Sequence, residues 1–395
     1  MSSRPTELPL SHLRVIDLSR VRAGPTCVKF FGDFGADVIR VERIDGKGDP
    51  MGDDRLSSDY VNAQRNKRGI ALNLKREEGI SVLKKLVATA DVLVENFRPE
   101  VKHRLGIDYE TLNSLNPRLV YTSISAFGET GPYAQRPGFD LIAQGMGGLM
   151  WLTGYPDRGP LRTGISPADL SAGTFAALGT LIALAERERS GRGQWVRTNL
   201  LAAQIMMLDY QAMRWLMDRK IPEQRGNDHP QIVPTGVYRS ADGYFTLSTV
   251  GNESYRRLCQ AIGSPELASN PDFATACLRN QHREQLNAAI ETATLRRTST
   301  EWVEILNTAG VPAGPIYKLD EMFADPQIAH TGIVQNLPHP TLGEVQILGQ
   351  PIEMSRTPPQ FRRPPPQLGQ HTDEILNELG YERNTIEAMR ARGIV

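Results

Sequence analysis

The sequence predicts an α/β fold with a parallel sheet, followed by a smaller domain of different texture. A strand, a glycine-containing turn, a helix and a second strand follow one another over residues 13–42, which is the pattern of a βαβ unit. Short apolar runs at 70–74, 92–94 and 119–124 repeat the strand signal. From about residue 225, an antiparallel hairpin pattern and charged helical segments replace it.

The elements of the large domain can be assigned in chain order. Residues 13–18 form the first strand, 27–34 a helix that ends at Gly35, and 36–42 the second strand. The next elements are a strand at 70–74, a helix at 79–88, strands at 92–94 and 119–124, a helix at 169–188, a strand at 194–200 and a helix at 201–217. Alternating strands and helices of these lengths predict parallel pairing.

The C-terminal part of the chain has a different pattern. Residues 236–239 and 244–248 flank a Ser-Ala-Asp-Gly turn and predict a hairpin, and helical segments run from 254 to 309. Proline-rich stretches at 311–315 and 358–366 are typical of semi-rigid connectors. We predict a last helix over 373–379.

Composition excludes several classes of protein. The 395 residues are enough for two domains, and 45 Lys and Arg balance 45 Asp and Glu, which argues against a nucleic-acid partner. Cys27, Cys259 and Cys277 have no CxxC spacing, so we expect buried free thiols in a reducing compartment. Residues 1–10 lack a signal-peptide run, and we find no stretch of roughly 18 apolar residues. We expect a cytoplasmic protein without a membrane partner.

Familiar cofactor and catalytic motifs are missing from the sequence. It has no GxxxxGK[ST] loop, and the first turn reads Arg22-Ala23-Gly24-Pro25 where a dinucleotide fold has GxGxxG. It has no HExxH or paired CxxC and no GxSxG elbow, so we expect no metal site and no serine triad.

Basic and amide side chains follow successive predicted strands. Arg22 and Arg43 follow the first two strands, Lys75 the third, and Arg98 the fourth. Ligands of open α/β sheets bind outside the carboxyl ends of the strands, so these groups suit a phosphorylated ligand. Taken singly, each is better interpreted as a solvated loop charge, but four on successive turns favour a binding site.

Asp169 lies between a Ser-Pro turn and an Ala-rich helix. On local sequence alone, the better interpretation is a helix cap or first-turn residue. A carboxylate near a helix N-terminus also stays ionised and can attack a thioester, with the small residues Ala168, Ala172 and Gly173 leaving room for an acyl group.

A resemblance to a known family decides between these interpretations. The chain resembles CoA-transferase family III, the group of formyl-CoA transferase and carnitine CoA-transferase, along nearly its whole length. The segments that carry the resemblance are 15–18 with 23–25, 35–42, 66–68, 72–75, 91–97, 105–106, 116–120, 128–133, 136–140, 153–154, 168–170, 191–194, 310–315 and 368–372.

The resemblance implies the architecture. It implies a Rossmann-like large domain built from both chain ends, a smaller inserted α+β domain and an interlocked homodimer. We place the N-terminal part of the large domain at residues 1–224 and the small domain at 225–320. Residues 321–395 form a linker and the return to the large domain.

The resemblance also implies the chemistry. Asp169 matches the family nucleophile, which forms mixed-anhydride and aspartyl-CoA thioester intermediates, and acyl-CoA and carboxylic acids are substrates with no permanently bound cofactor. The implied CoA contacts are Arg22, Ala23, Arg43, Leu72, Asn73, Leu74, Lys75, Asn96, Phe97, Arg98, Arg104, Arg136 and Phe139. Arg43, Lys75 and Arg104 are expected to pair with phosphates.

The branch of the family is indicated by three local differences. Phe139 stands where racemases of this fold carry a proton-shuttling histidine, which disfavours a racemase. Residues 226–234 lack the glycine run of formyl-CoA:oxalate transferases. This segment, with 330–334 and 339–341, resembles the branch that uses succinyl-CoA and dicarboxylates, in which Arg22 or Arg98 would bind a distal carboxylate. Arg22, Phe139 and His229 are candidate acyl-pocket residues.

Three alternatives remain open from sequence. They are a formyl-CoA:oxalate CoA-transferase, a 2-methylacyl-CoA racemase-like enzyme, and a non-catalytic CoA-binding subunit. The last is disfavoured by the intact Asp169.

Overall fold

A computed structural model describes residues 7–47, 49 and 54–395. Residues 1–6 of the N-terminal segment in which we predict no signal peptide therefore lie outside the described part. The strands are β1 (Arg14–Asp17), β2 (Asp37–Glu42), β3 (Lys67–Ala71), β4 (Val92–Glu95), β5 (Val120–Ser125), β6 (Trp195–Asn199), β7 (Thr235–Arg239), β8 (Tyr244–Ser248), β9 (Ala313–Pro315), β10 (Val334–His339) and β11 (Gly343–Leu348).

The helices alternate with the strands over the first half of the chain and cluster in the second half. They are α1 (Ala23–Asp33), α2 (Ser58–Gln64), α3 (Glu77–Ala88), α4 (Pro99–Leu105), α5 (Tyr109–Leu115), α6 (Asp140–Met146), α7 (Leu149–Leu152), α8 (Pro167–Ser190), α9 (Leu200–Met206), α10 (Tyr210–Asp218), α11 (Gly251–Ala261), α12 (Glu266–Ser269), α13 (Ala276–Gln281), α14 (Arg283–Thr294), α15 (Ser299–Thr308), α16 (Leu319–Ala324), α17 (Pro326–His330), α18 (Thr372–Glu378) and α19 (Arg383–Ala391).

The main sheet of the described chain has six parallel strands in the order β3-β2-β1-β4-β5-β6. This is the strand order of the doubly wound dinucleotide-binding fold, whose ligands bind where the order reverses. The reversal lies between β1 and β4, so the carboxyl ends of these two strands define the expected crevice. The predicted α/β fold with a parallel sheet is confirmed.

Both faces of the sheet are covered by helices. Val15 of β1 belongs to a core shared with α1 and α8, whereas its neighbour Ile16 belongs to a core shared with α3, α18 and α19. Successive strand residues point to opposite faces, so a strand buried on both sides is a continuous apolar run. This explains why the strands could be predicted from short apolar segments.

The C-terminal segment packs on the edge strand β3. The backbone N–H of Gly69 donates to His371 Nδ1 (3.1 Å), and the N–H of His371 donates to the Gly69 carbonyl (2.9 Å). Thr372 Oγ1 accepts from the N–H of Ala71 (3.2 Å). These bonds satisfy backbone groups that an uncovered edge strand would expose.

The chain forms two compact units. The first contains residues 1–149, 162–219 and 331–395, and the second contains 150–161 and 220–330. The predicted small domain at 225–320 lies inside the second unit. Residues 150–161, which we assigned to the large domain, cluster with the second unit instead, where Gln224 donates to the carbonyls of Thr153 (2.7 Å) and Gly159 (2.9 Å).

Several elements differ from the prediction. Strand β3 occupies 67–71 and not 70–74, because the buried Lys67 and Arg68 extend it toward the N-terminus. The single helix predicted over 201–217 is two helices, α9 and α10, separated at Asp209, which has φ 47°. The segment 311–315, predicted as a connector, contains β9, which pairs with β8. The chain continues beyond α18 into α19, which the prediction missed, as it missed the β10–β11 hairpin.

Two further expectations need correction. Helix α8 contains an 18-residue window of mean hydropathy 1.5, so its length and composition would suit a membrane span, contrary to our prediction. Its Ala172, Ala176 and Ala183 are buried in the protein core, and core helices pass the same test. Cys27 and Cys259 are buried as expected, whereas Cys277 is exposed.

Candidate active site

A cavity of about 820 Å³ opens at the carboxyl ends of the parallel strands. Among the described residues, seven Arg or Lys and four Asp or Glu side chains line it. The residues predicted to bind CoA that line this cavity, together with Asp169, are Arg22, Ala23, Arg43, Leu72, Asn73, Leu74, Lys75, Asn96, Phe97, Arg98, Arg104, Arg136 and Phe139. The excess of cations suits a ligand that carries phosphates.

The loops after β1 and β4 are tied together at the reversal point of the sheet. Asn96 accepts from the backbone N–H of Arg20 (2.9 Å) and donates to the Arg20 carbonyl (2.8 Å). The Arg20 guanidinium lies over the Phe97 ring, 5.5 Å from its centroid. A side-chain amide that pairs with a backbone amide in this way holds both loops in register, and these loops carry Arg22 and Arg98.

Asp169 lies in the first turn of α8 and is not the cap of that helix. The N-cap residue is Ser166, whose side chain makes no capping bond. The buried Asp140 at the start of α6 takes this role from outside the helix, since its Oδ1 accepts from the backbone N–H groups of Ala168 (2.9 Å) and Asp169 (3.3 Å). Gln144 Nε2 donates a hydrogen bond to the other carboxylate oxygen of Asp140 (2.5 Å). Because Asp140 satisfies the helix N-terminus, the Asp169 carboxylate is directed to the cavity instead.

The electrostatic environment of Asp169 favours a titration near neutral pH. Burial, with a second contribution from the Asp140 charge, raises the pKa of Asp169 from 3.8 to about 6, and Arg22 opposes this shift. A carboxylate with a raised pKa is a stronger nucleophile than an ordinary surface aspartate and is still ionised at pH 7.

Helices α1 and α8 approach each other closely beside Asp169. A Cβ atom added at Gly173 would lie 2.5 Å from the Ala23 carbonyl oxygen and 2.8 Å from Thr26 Cβ. Ala168 and Ala172 are fully buried in the same core. We predicted that these small residues leave room for an acyl group. That prediction is wrong, because they allow the two helices to pack and do not line the cavity.

The cationic rim of the cavity includes two exposed ion pairs. Arg22 Nη2 lies 2.7 Å from Asp59 Oδ2, and Arg43 Nη2 lies 2.6 Å from Asp45 Oδ2. Lys75, Arg98, Arg104 and Arg136 are exposed, and the Arg136 guanidinium stacks over Tyr133 at 3.7 Å. Exposed cations of this kind can turn toward a bound anion without breaking a buried network.

The loop that carries Arg136 and Phe139 is anchored in the core. Lys102 Nζ lies 2.8 Å from Glu95 and 2.6 Å from Glu129, and all three side chains are buried. Ser123 also donates to Glu95 (2.5 Å). Burial, with a smaller contribution from the Glu129 charge, raises the pKa of Glu95 in spite of the Lys102 charge. Glu129 of the Gly-Glu-Thr-Gly-Pro motif is therefore a structural anchor.

His229 is placed in the second unit, in the loop before β7. Its Nδ1 accepts from the backbone N–H groups of Gln231 (3.1 Å) and Ile232 (2.9 Å), and its carbonyl accepts from Arg283 (2.8 Å). These bonds shape the loop, and a role of His229 in the acyl pocket stays a prediction.

Sequence reasoning missed two residues that contact the site without lining the cavity. Asp140 belongs to the segment 136–140 that carries the family resemblance, but neither its role nor that of Asp59 is predicted from the sequence. A polar residue three positions after Arg136-Pro137 at the start of a helix is an N-terminal signal for α6, but nothing local indicates that it caps α8. Among the described residues, no group of three His, Cys, Asp or Glu side chains is arranged to hold a metal ion.

Comparisons with known proteins identify the class of enzyme. Over 382 residues the chain is 39% identical to the succinate–glutarate CoA-transferase of Agrobacterium fabrum, covering 94% of this chain and 96% of that protein. It is 35% identical over 394 residues to the succinyl-CoA:glutarate CoA-transferase of Mus musculus, covering 98% and 90%. A CAIB/BAIF family protein from Brucella suis superposes with a TM-score of 0.83 at 36% identity, covering 95% and 100%. The chain is therefore a CoA-transferase.

The family can be stated more closely. The model of CoA-transferase family III matches residues 10–372, and the chain belongs to that family. The predicted resemblance, including its similarity to the succinyl-CoA:dicarboxylate branch, is confirmed.

Proposed function

We propose that this enzyme transfers CoA between carboxylic acids through covalent intermediates on Asp169, with succinyl-CoA or another dicarboxylyl-CoA as donor and a dicarboxylate as acceptor. The observation that carries the proposal is the Asp169 carboxylate in a cation-rich cavity at the strand ends, while Asp140 accepts from the N–H groups at the start of its helix. The names of the relatives, which refer to succinate and glutarate, support the substrate class.

The first half-reaction loads the enzyme. An oxygen of the Asp169 carboxylate attacks the thioester carbonyl of the donor and expels the CoA thiolate, which leaves a mixed anhydride. The thiolate then attacks the aspartyl carbonyl and expels the donor acid as a carboxylate, which leaves an aspartyl-CoA thioester. The first turns of α1 and α8 lie at the cavity, and helix N-termini stabilise developing negative charge.

The second half-reaction reverses these steps with the acceptor. Its carboxylate attacks the aspartyl thioester and expels the thiolate, and the thiolate attacks the acceptor carbonyl of the resulting anhydride. The products are the acceptor CoA thioester and the free Asp169 carboxylate. Neither half-reaction needs a net proton transfer, which agrees with Phe139 in place of a proton-shuttling side chain.

The cavity offers cations for the phosphates of CoA. Arg43, Lys75 and Arg104 line it with exposed side chains, and we assign them to phosphate pairing. Arg22 or Arg98 would bind the distal carboxylate of a diacid, because a guanidinium binds a carboxylate with two parallel bonds. We further propose an interlocked homodimer that works in the cytoplasm without a permanently bound cofactor.

A two-substrate assay tests the proposal. The purified enzyme is incubated with succinyl-CoA and glutarate, and glutaryl-CoA is measured by liquid chromatography. We expect transfer by the wild type and a loss of at least about 10³-fold in Asp169→Ala, because removal of a covalent nucleophile abolishes the pathway. Comparable rates for the wild type and Asp169→Ala would contradict the proposal.

Three further measurements separate the alternatives. Formyl-CoA with oxalate as the preferred pair would indicate the formyl-CoA:oxalate enzyme. Exchange of the α-proton of a 2-methylacyl-CoA with solvent would indicate a racemase. Binding of CoA esters without any transfer would indicate a non-catalytic subunit.

A further inference from the structure

We propose that Asp59 is a specificity-determining residue. Its carboxylate pairs with Arg22 in the free enzyme, and the distal carboxylate of a diacid substrate takes its place on Arg22 when the substrate binds. The inference rests on the proposed function and names the pair of residues that sets diacid affinity. Asp59 then competes with the substrate, and its negative charge tunes the affinity of the enzyme for diacids without touching the reacting atoms.

The geometry of the Arg22–Asp59 pair supports this role. Arg22 directly precedes α1 and lines the cavity that contains Asp169, whereas Asp59 lies in the first turn of α2 and does not line it. Arg22 Nη2 and Asp59 Oδ2 are 2.7 Å apart, and the two side chains are 38% and 59% exposed. An ion pair this exposed is weak, so a substrate carboxylate can replace Asp59.

Arg22 is also close enough to Asp169 to affect its ionisation. Its charge is the one that lowers the pKa of Asp169 against burial and the Asp140 charge. Both residues line the same cavity, so a diacid whose first carboxylate reacts at Asp169 can direct its second carboxylate to the Arg22 guanidinium. An acid with a methyl group at that end has no charge to pair with Arg22, so the Arg22–Asp59 pair remains intact.

Other cations at the cavity fit this role less well. Arg20 is held against the Phe97 ring, which fixes its guanidinium at the loop between β1 and α1. Arg43 pairs with Asp45, but that pair lies on the loop after β2, and Arg43 is not among the groups that affect the pKa of Asp169. Arg22 thus combines a replaceable carboxylate partner with proximity to the nucleophile.

The test compares a diacid and a monoacid of equal chain length. With succinyl-CoA saturating, KM is measured for glutarate and for pentanoate in the wild type, Asp59→Asn, Asp59→Ser and Asp59→Glu. The matched control is Asp373→Asn, which breaks the exposed pair with Arg390, and neither of these two residues lines the cavity. Circular dichroism verifies that each variant is folded.

We expect the glutarate KM to fall about two- to fivefold in Asp59→Asn and Asp59→Ser, the amount that a weak exposed ion pair supplies. The pentanoate KM stays within twofold of the wild type, and Asp59→Glu and Asp373→Asn behave like the wild type. An unchanged glutarate-to-pentanoate ratio in both neutral variants, or an equal change for both acids, overturns the role of Asp59. If the wild type transfers CoA to neither acid, the proposed function fails and the role of Asp59 falls with it.

Discussion

At the residue scale, two aspartates with different roles explain the reactivity of the site. Asp140 is buried and accepts from two backbone N–H groups at the N-terminus of α8, whereas Asp169, the third residue of that helix, is directed to the cavity. The same burial that raises the pKa of Asp169 removes water from its carboxylate. The enzyme therefore keeps a reactive carboxylate next to a helix terminus without using it as a cap.

The rate of acylation should follow the ionisation of Asp169. Because the attacking group is the carboxylate, kcat/KM for succinyl-CoA should rise with pH through an apparent pKa of about 6 and level off above it. Arg22→Gln removes the charge that lowers this pKa, so its profile should shift to higher pH. The pH dependence of initial rates measures both effects, and an unshifted profile in Arg22→Gln would contradict the effect assigned to the Arg22 charge.

The stability of the fold should depend on pH in the opposite direction, falling as Asp169 ionises. Asp169 has a raised pKa in the folded state, so its ionisation opposes folding, with a cost that grows between about pH 4 and pH 6 and is constant above. The free energy of unfolding of Asp169→Asn, relative to that of the wild type, should therefore increase by about 1–3 kcal/mol as the pH rises between those limits. Urea unfolding at pH 4.5 and pH 8 measures this change, and a pH-independent difference would be inconsistent with a raised pKa for the half-buried carboxylate.

Several motif residues proved to be structural, which sequence reasoning had no means to recognise. In the segment 66–68, Lys67 pairs with Asp17 at 2.8 Å inside the core, and Arg68 binds Asp37 at 2.7 Å. Each partner is about thirty or more positions away, so the pairing is decided by the sheet register and not by local sequence. The predicted ligand residues at strand ends were found because the carboxyl edge of a parallel sheet collects them regardless of register.

At the element scale, the packing of α1 on α8 positions the nucleophile. The Ala-rich face of α8 and Gly173 bring the helix against Ala23, so the loop with Arg22 and the first turn with Asp169 share one cavity wall. An Ala-rich helix predicts close packing in general. The sequence does not reveal which neighbour it packs against, so the small residues were misinterpreted as space for a substrate.

Gly173→Ala should separate these helices. The added methyl group would contact backbone, which cannot move aside cheaply, so we expect a loss of about 1–3 kcal/mol in the free energy of unfolding and a lower kcat. The matched control is Gly243→Ala, since nothing lies within 4 Å of a Cβ atom at Gly243. Equal stability of the two variants would contradict the close contact.

The buried ion pairs of Lys102, which anchor the loop before α6, should also contribute strongly to stability. Lys102→Ala leaves the buried carboxyls of Glu95 and Glu129 without their cation, which costs about 3–5 kcal/mol. Arg383→Ala breaks an exposed pair with Glu387 and should change stability by less than about 0.5 kcal/mol. Thermal unfolding of both variants distinguishes a buried anchor from a surface contact.

At the scale of the whole molecule, helices α9 and α10 of the first unit expose several large apolar side chains. Met206 is 68% exposed, and on α10 Leu216 and Met217 are 59% and 74% exposed. Large apolar side chains exposed on neighbouring helices indicate a contact surface, and a second copy of the chain is the partner that the proposed homodimer requires. The break at Asp209 divides the predicted single helix into two that both present such residues.

A charge placed in this surface should prevent association. Leu216→Arg would bury an unpaired cation in the proposed interface, so we expect the variant to have the mass of one chain in light scattering where the wild type has twice that mass. Leu115→Arg places the same charge on α5, where Leu115 is 45% exposed, and should leave the mass unchanged. A monomeric wild type would contradict the proposed homodimer.

The central claim is that Asp169 forms a covalent bond during CoA transfer. The most direct measurement is mass spectrometry of peptides from the enzyme incubated with succinyl-CoA and then trapped with hydroxylamine, which converts an aspartyl thioester or anhydride to a hydroxamate. We predict the hydroxamate mass on the peptide that contains Asp169, and its absence when acyl-CoA is omitted. An unmodified Asp169 peptide in enzyme that is transferring CoA would contradict the account.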